Sequence, residues 1–129
     1  MICGIGTDVV EISRIEAALR RHGDRFVHRI LHPLEEGLAA DFPAGRLAEF
    51  VAGRFAAKEA VAKAAGVGLG VMGLQDVAIV LGEGGLRVRF SPALEHAAFA
   101  RGRWWVSISH SRTVAMAVAV REVCADNPS

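Results

Sequence analysis

Three short stretches of the chain carry residue types that could work on one reaction. Asp8 closes Gly4-Ile5-Gly6-Thr7-Asp8, Glu59 and Lys63 lie within Gly53-Arg54-Phe55-Ala56-Ala57-Lys58-Glu59-Ala60-Val61-Ala62-Lys63-Ala64-Ala65-Gly66, and His110 stands in Ser107-Ile108-Ser109-His110-Ser111. Paired carboxylates are oxygen ligands of the kind magnesium takes beside water and phosphate. Arginine and lysine read phosphate oxygens, the first as a planar fork and the second as a mobile point charge. Such a set could direct a nucleophile at phosphorus.

The elements that must position these groups are legible in outline. From Phe55 to Ala65 the chain is rich in alanine and free of Pro and Gly, which predicts a helix that stops at Gly66. Glu59 and Lys63 then share one face, and Arg54 and Lys58 a neighbouring one. Read alone, these spacings fit a solvated helix whose ion pairs are worth about 0.2–0.5 kcal/mol each. The Gly66-Val67-Gly68-Leu69-Gly70 segment that follows could bring bare backbone N–H groups close to a phosphate. It is not a Walker loop, since no Gly-Lys-Ser/Thr ends it and it follows a helix instead of preceding one.

Ile2 to Ile12 reads as a strand, with Ser13 as the cap of the helix beyond it. Gly4, Gly6 and Asp8 share one face of that strand. Two readings stand level: open space around Asp8 for a hydrated cation or a phosphate, or a solvated strand end with glycines that mark close packing. Arg103 to Ser111 alternates as a strand that delivers His110 at its end. A lone histidine there is more often a structural residue than a catalyst, and the serines around it lack the Gly-x-Ser-x-Gly elbow of a hydrolase.

The remaining segments are expected to organise around one sheet. Asp76–Leu81 and Leu86–Phe90 flank Gly82-Glu83-Gly84-Gly85 as a hairpin. Ser91-Pro92 predicts a helix through about Ala100. Thr113 to Val120 reads as the last strand, paired with the His110 strand. Its alternation of Val or Met with Ala suggests one face pressed against another backbone, a neighbouring subunit being one candidate.

A chain of 129 residues suits a single domain. With 52% hydrophobic but only 6% aromatic residues, it is rich in small apolar side chains. The net charge of +1 and the absence of a long basic run interleaved with Trp104-Trp105 argue against a nucleic-acid binder. No stretch is long enough for a transmembrane helix and no leader pattern is seen, so a cytoplasmic location is the expectation. In that compartment Cys3 and Cys124, which lack metal-ligand spacing, are expected as free thiols.

Taken in order, Gly-Ile-Gly-Thr-Asp8, Gly-Arg-Phe-Ala-Ala-Lys-Glu59-Ala-x-x-Lys63-Ala with its glycine loop, and Ser-Ile-Ser-His110-Ser resemble the bacterial holo-(acyl-carrier-protein) synthases, the small phosphopantetheinyl transferases. The resemblance covers nearly the whole chain and weakens over 39–45, 71–73 and the tail. It implies an α+β fold, the phosphopantetheinyl transferase fold, with an antiparallel sheet packed with helices. A domain over 1–122, a frayed tail over 123–129 and a homotrimer with shared active sites are also expected. The implied reaction moves the phosphopantetheine arm of coenzyme A to a serine of an apo acyl carrier protein and releases adenosine 3',5'-bisphosphate. Asp8 and Glu59 match the magnesium carboxylates, and Lys63 matches the lysine on the reacting phosphates. Arg46, Arg54, Gly66, Gly68, Gly70, His110 and Ser111 are the matching positions for coenzyme A. The proton acceptor for the serine is either Glu59 or a magnesium-held water or hydroxide.

Carrier proteins of this kind are acidic, and with a net charge of only +1 the attraction must be local. Arg14, Arg20, Arg21, Arg25 and Arg29 supply a basic patch, with Ala17, Ala18 and Phe26 as apolar contacts; of these, Arg14, Arg21, Arg25 and Phe26 are the expected docking residues. Ordinary surface charge is the better reading of Arg20 and Arg21 taken one at a time. Leu86, His32 and Met72-Gly73 depart from the family pattern, which bears on loop geometry and coenzyme A affinity. The rivals are a non-catalytic module that binds nucleotides or an acidic partner, and a metal-dependent phosphohydrolase. The first has no need of the Asp8 and Glu59 pair; the second would turn over coenzyme A without a carrier.

Overall fold

A computed structural model describes residues 1–124. The elements run β1 (Ile2–Glu11), α1 (Ile12–His22), α2 (Asp24–Ile30), α3 (Pro33–Ala39), α4 (Ala44–Ala65), a 3₁₀ turn (Leu74–Asp76), β2 (Val77–Gly82), β3 (Gly85–Phe90), a second 3₁₀ turn (Ala98–Ala100), β4 (Arg103–His110) and β5 (Val114–Glu122). All strand pairing is antiparallel, with order β1-β5-β4 in one sheet and the β2-β3 hairpin as a second. The single sheet expected from the sequence is thus two. The hairpin turns through Glu83-Gly84, with Gly82 paired to Gly85.

The helix expected from Phe55 begins earlier, at Ala44, and runs 22 residues. It ends where the sequence says it must. Gly66 is left-handed (φ 77°), its N–H donates to Lys63 O at 3.1 Å, and Val67 N–H donates to Ala62 O at 3.1 Å, a Schellman closure. This helix lies on the three-stranded sheet. Ala115, Ala117 and Ala119 of β5 are buried beneath it, so the small face of β5 packs against its own chain and not against a neighbouring subunit. Successive side chains on a strand alternate between faces, so Val118 and Met116 point to the opposite side, where Met116, Ile5 and Val9 on β1 and Trp105 on β4 are exposed.

Gly4 and Gly6 mark close packing, which decides between the two readings of β1. A Cβ on Gly4 would stand 1.9 Å from Ala64 O, and one on Gly6 would stand 2.0 Å from Ala60 O. Only glycine lets the backbone of α4 come this near, and that approach brings Glu59 and Lys63 to Asp8.

On the other side of α4 a buried charged cluster ties the helices together. Lys58 and Glu35 are both fully buried; Lys58 Nζ donates to Glu35 Oε1 at 2.5 Å, to Ile30 O at 2.7 Å and to Leu74 O at 2.9 Å. Glu35 Oε1 also accepts from His32 N–H at 2.9 Å, and Oε2 from Ile79 N–H at 2.8 Å. All three ammonium protons therefore have acceptors, which is the condition for burying such a pair. His32, the departure from Ser or Thr, does their work: its Nδ1 accepts from Leu34 N–H at 3.1 Å at the start of α3. Met72, another departure, is fully buried and fills the core behind the glycine loop.

Two predicted details fail for local reasons. Ser13 does not cap α1; the helix starts at Ile12 with Glu11 as its N-cap and no side-chain cap, because Ile12 is needed in the core. The helix expected from Ser91 is a run of tight turns, with Leu94 N–H donating to Ser91 O, Ala97 to Leu94 and Ala100 to Ala97. Ser91 is held instead by Asp76, through its N–H to the carbonyl at 2.8 Å and its hydroxyl to Oδ1 at 3.1 Å. Phe99 closes the run against Phe90, which in turn meets Trp104. At the far end of the sheet Met1 and Val123 exchange both backbone bonds at 2.9 Å. The rest of the tail expected to fray, 125–129, lies outside the described residues.

Candidate active site

One end of the candidate site is built where β1 crosses α4. Lys63 Nζ donates to Thr7 O at 2.9 Å and approaches Asp8 Oδ1 at 3.3 Å. Asp8 is one-fifth exposed and Lys63 about half exposed, so both reach solvent from a rigid base. Glu59 lies one turn before Lys63 on the same helix. Its pKa is raised, first by burial, then by the nearby Asp8 carboxylate, with Lys63 opposing. Two acids sharing one lysine leave a site short of positive charge.

The donor set fits magnesium. It is made of carboxylate oxygens, and among the described residues no cluster of three or more His, Cys, Asp or Glu could enclose an ion on its own. Magnesium is usually held by one or two carboxylates and completes its shell with water and substrate phosphate.

The second part lies nearer the start of α4. A cavity of about 300 Å³ joins Arg46, Arg54 and His110, three of the residues singled out for coenzyme A. Arg46 stacks on Phe42, 4.4 Å from guanidinium carbon to ring centre, and Arg54 on Phe50 at 4.2 Å. Stacking of this kind uses the face of the guanidinium and leaves its edge N–H groups free to donate. Arg54 Nε donates to Ile79 O at 3.2 Å. Burial lowers the Arg54 pKa, opposed by Glu35. Glycine again sets the geometry: a Cβ on Gly53 would lie 3.0 Å from Ile108 Cγ2, so β4 comes close enough to place His110 over the cavity.

The structure does not gather every expected residue in one place. Gly66 uses its N–H to close α4, while Gly68 and Gly70 are exposed at the far end of the helix, about 18 Å of helix rise beyond Arg54. Ser111 Oγ accepts from Thr113 N–H and Val114 N–H at 3.2 Å each, and so shapes the β4–β5 turn. Arg14 and Arg21 are exposed on α1, seven residues apart and thus on one face. Arg25 and Phe26 border a groove on α2 with His22, His28 and Arg29. Arg20 pairs with Glu16 at 3.9 Å, an ordinary i,i+4 surface contact.

Two buried structural residues and one cavity residue are not told by the sequence. Lys58, whose spacing read alone fits a solvated helix, is buried with its partner Glu35. Glu49 lines the cation cavity. The one available signal for Lys58 and Glu35 was the Pro33-Leu34-Glu35 start of a helix, whose acid at the third position is a capping-box mark.

A mixed fold that carries paired carboxylates and a lysine on the same helix and sheet as an arginine and histidine cavity is suited to chemistry on phosphate groups. The chain belongs to the 4'-phosphopantetheinyl transferase superfamily, whose family model matches residues 4–119. Among curated proteins it is similar to the holo-(acyl-carrier-protein) synthase of Solidesulfovibrio magneticus, 49% identical over 95% of this chain and 99% of the relative. The synthase of Oceanobacillus iheyensis is 40% identical over 95% and 98%. Among solved structures, the Bacillus anthracis synthase in complex with CoA (3',5'-ADP) superposes with a TM-score of 0.81 at 39% identity, covering 96% of this chain and 99% of that one. The Helicobacter pylori synthase in complex with coenzyme A gives 0.78 at 33%, covering 92% and 99%.

Proposed function

We propose that this chain is a holo-(acyl-carrier-protein) synthase: it transfers the 4'-phosphopantetheine arm of coenzyme A to a serine hydroxyl of apo acyl carrier protein and releases adenosine 3',5'-bisphosphate. The observation that carries the reading is the placement of Asp8, Glu59 and Lys63 on the same helix-on-sheet unit as the Arg46, Arg54 and His110 cavity. The cavity cations hold the nucleotide phosphates. Lys63, released from Asp8, follows the phosphate being displaced.

Asp8 and Glu59 are the residues that would hold magnesium, which when bound neutralises pyrophosphate charge as the leaving group departs. The proton acceptor for the serine is Glu59 or a magnesium-held water or hydroxide. Arg14, Arg21, Arg25 and Phe26 form the surface for the acidic carrier. In antiparallel register, Ile5 stands opposite Val120, which stands opposite Trp105, and Val9 opposite Met116. This exposed apolar sheet face is the surface on which copies would join as a homotrimer, letting the glycine loop and Ser111 of one subunit complete the site of the next. The setting is the cytoplasm; no helix among the described residues is long and apolar enough to cross a membrane.

The test is release of adenosine 3',5'-bisphosphate from coenzyme A with and without apo carrier protein. Release that requires carrier supports transfer. Equal release without it would mean hydrolysis, and no release with several carriers would favour the binding-module reading.

A further inference from the structure

Glu49 is an acid in a cavity otherwise suited to anions. Its Oε2 lies 4.0 Å from His110 Nε2, and the two side chains are 43% and 51% exposed respectively. The arginines of the cavity stack on its walls, Arg46 on Phe42 and Arg54 on Phe50, and Arg54 also donates to the Ile79 carbonyl. The approach of Glu49 to His110 follows from packing. Gly53 admits Ile108, His110 stands two residues further along β4, and Glu49 lies one turn before Gly53 on α4.

We propose that the phosphate monoester of coenzyme A enters the cavity at His110 and that Glu49 is an internal competitor for that place. In the free enzyme its carboxylate faces the imidazole; an arriving phosphate, with more charge and three acceptor oxygens, takes that place and turns Glu49 to solvent. Part of the phosphate's binding energy is offset by this exchange, and the return of Glu49 speeds departure of the bisphosphate product. Glu49 thereby sets how much the ribose phosphate contributes to recognition. This inference rests on the coenzyme A reading above.

The test is calorimetric titration of adenosine 3',5'-bisphosphate and of adenosine 5'-monophosphate into the wild type, E49Q, H110Q and the double variant. E49Q should bind the bisphosphate about two- to fivefold tighter, the range for a half-exposed contact between ionisable side chains, with the monophosphate unchanged and the gain absent in the H110Q background. Weaker or unchanged bisphosphate binding, or an equal gain for both nucleotides, would overturn the role of Glu49. A wild type that binds neither coenzyme A nor the bisphosphate would overturn the proposed function itself.

Discussion

Gly6 and Ala60 meet so closely that a Cβ on Gly6 would stand 2.0 Å from the Ala60 carbonyl oxygen. The contact is backbone against backbone, so neither side can yield by changing rotamer. It fixes the spacing between Asp8, two residues on in β1, and Glu59, one residue earlier in α4. Gly6→Ala is expected to destabilise the protein by about 3 kcal/mol, the upper part of the usual overpacking range, and to lower turnover more than coenzyme A affinity. Denaturant unfolding beside steady-state kinetics checks this; wild-type behaviour in both would show that the helix can lift without harm.

Lys63 offers a cleaner probe of the chemistry, because its half-exposed side chain carries little of the fold. Lys63→Ala should reduce turnover by about 10²–10³, the cost of removing one preorganised charge-stabilising donor, with the unfolding midpoint nearly unchanged. A loss confined to KM would place Lys63 in ground-state binding instead.

The buried pair on the opposite side of α4 predicts the reverse pattern. Lys58→Met leaves Glu35 buried without its cation and should cost about 3–5 kcal/mol. Replacing both, as Glu35→Leu with Lys58→Met, should recover part of that loss, although the Ile79 and His32 N–H groups then lose their acceptor. A double-mutant cycle by chemical unfolding measures the coupling, and strict additivity would contradict the pairing.

The raised pKa of Glu59 makes a signed statement about pH. A carboxyl group that holds its proton more tightly folded than unfolded favours the folded state at low pH, and that contribution is lost as pH rises from the ordinary glutamate range through the raised value. With chelator present, Glu59→Gln should therefore be more stable than the wild type at neutral pH, and the difference should shrink on acidification. Thermal unfolding across pH checks the sign, which a constant difference would refute.

Part of this arrangement could be read from residue types and order: Lys63 reaches Asp8, and Arg46, Arg54 and His110 line one cavity. The helix stop at Gly66 was equally legible, being a local backbone requirement. What escaped depends on partners distant in the chain. Lys58 looks like a surface residue until Glu35 and the Ile30 and Leu74 carbonyls surround it. Gly4 and Gly6 admit two meanings until α4 is laid across them, and Ser91 reads as a helix cap until Asp76 engages both its polar groups.

On the proposed carrier surface, Arg14→Glu should raise the KM for carrier protein about tenfold, equivalent to about 1.4 kcal/mol, and flatten its salt dependence while leaving that for coenzyme A unchanged. Equal effects on both substrates would mean that α1 does not form a separate docking surface.

The central claim is tested most directly by the intact mass of an apo acyl carrier protein after incubation with this enzyme, coenzyme A and magnesium, with a chelator control. The account predicts a gain of one phosphopantetheine group that is lost with chelator and with Asp8→Ala. An unmodified carrier despite measurable coenzyme A binding, or a gain that persists in chelator, would contradict it.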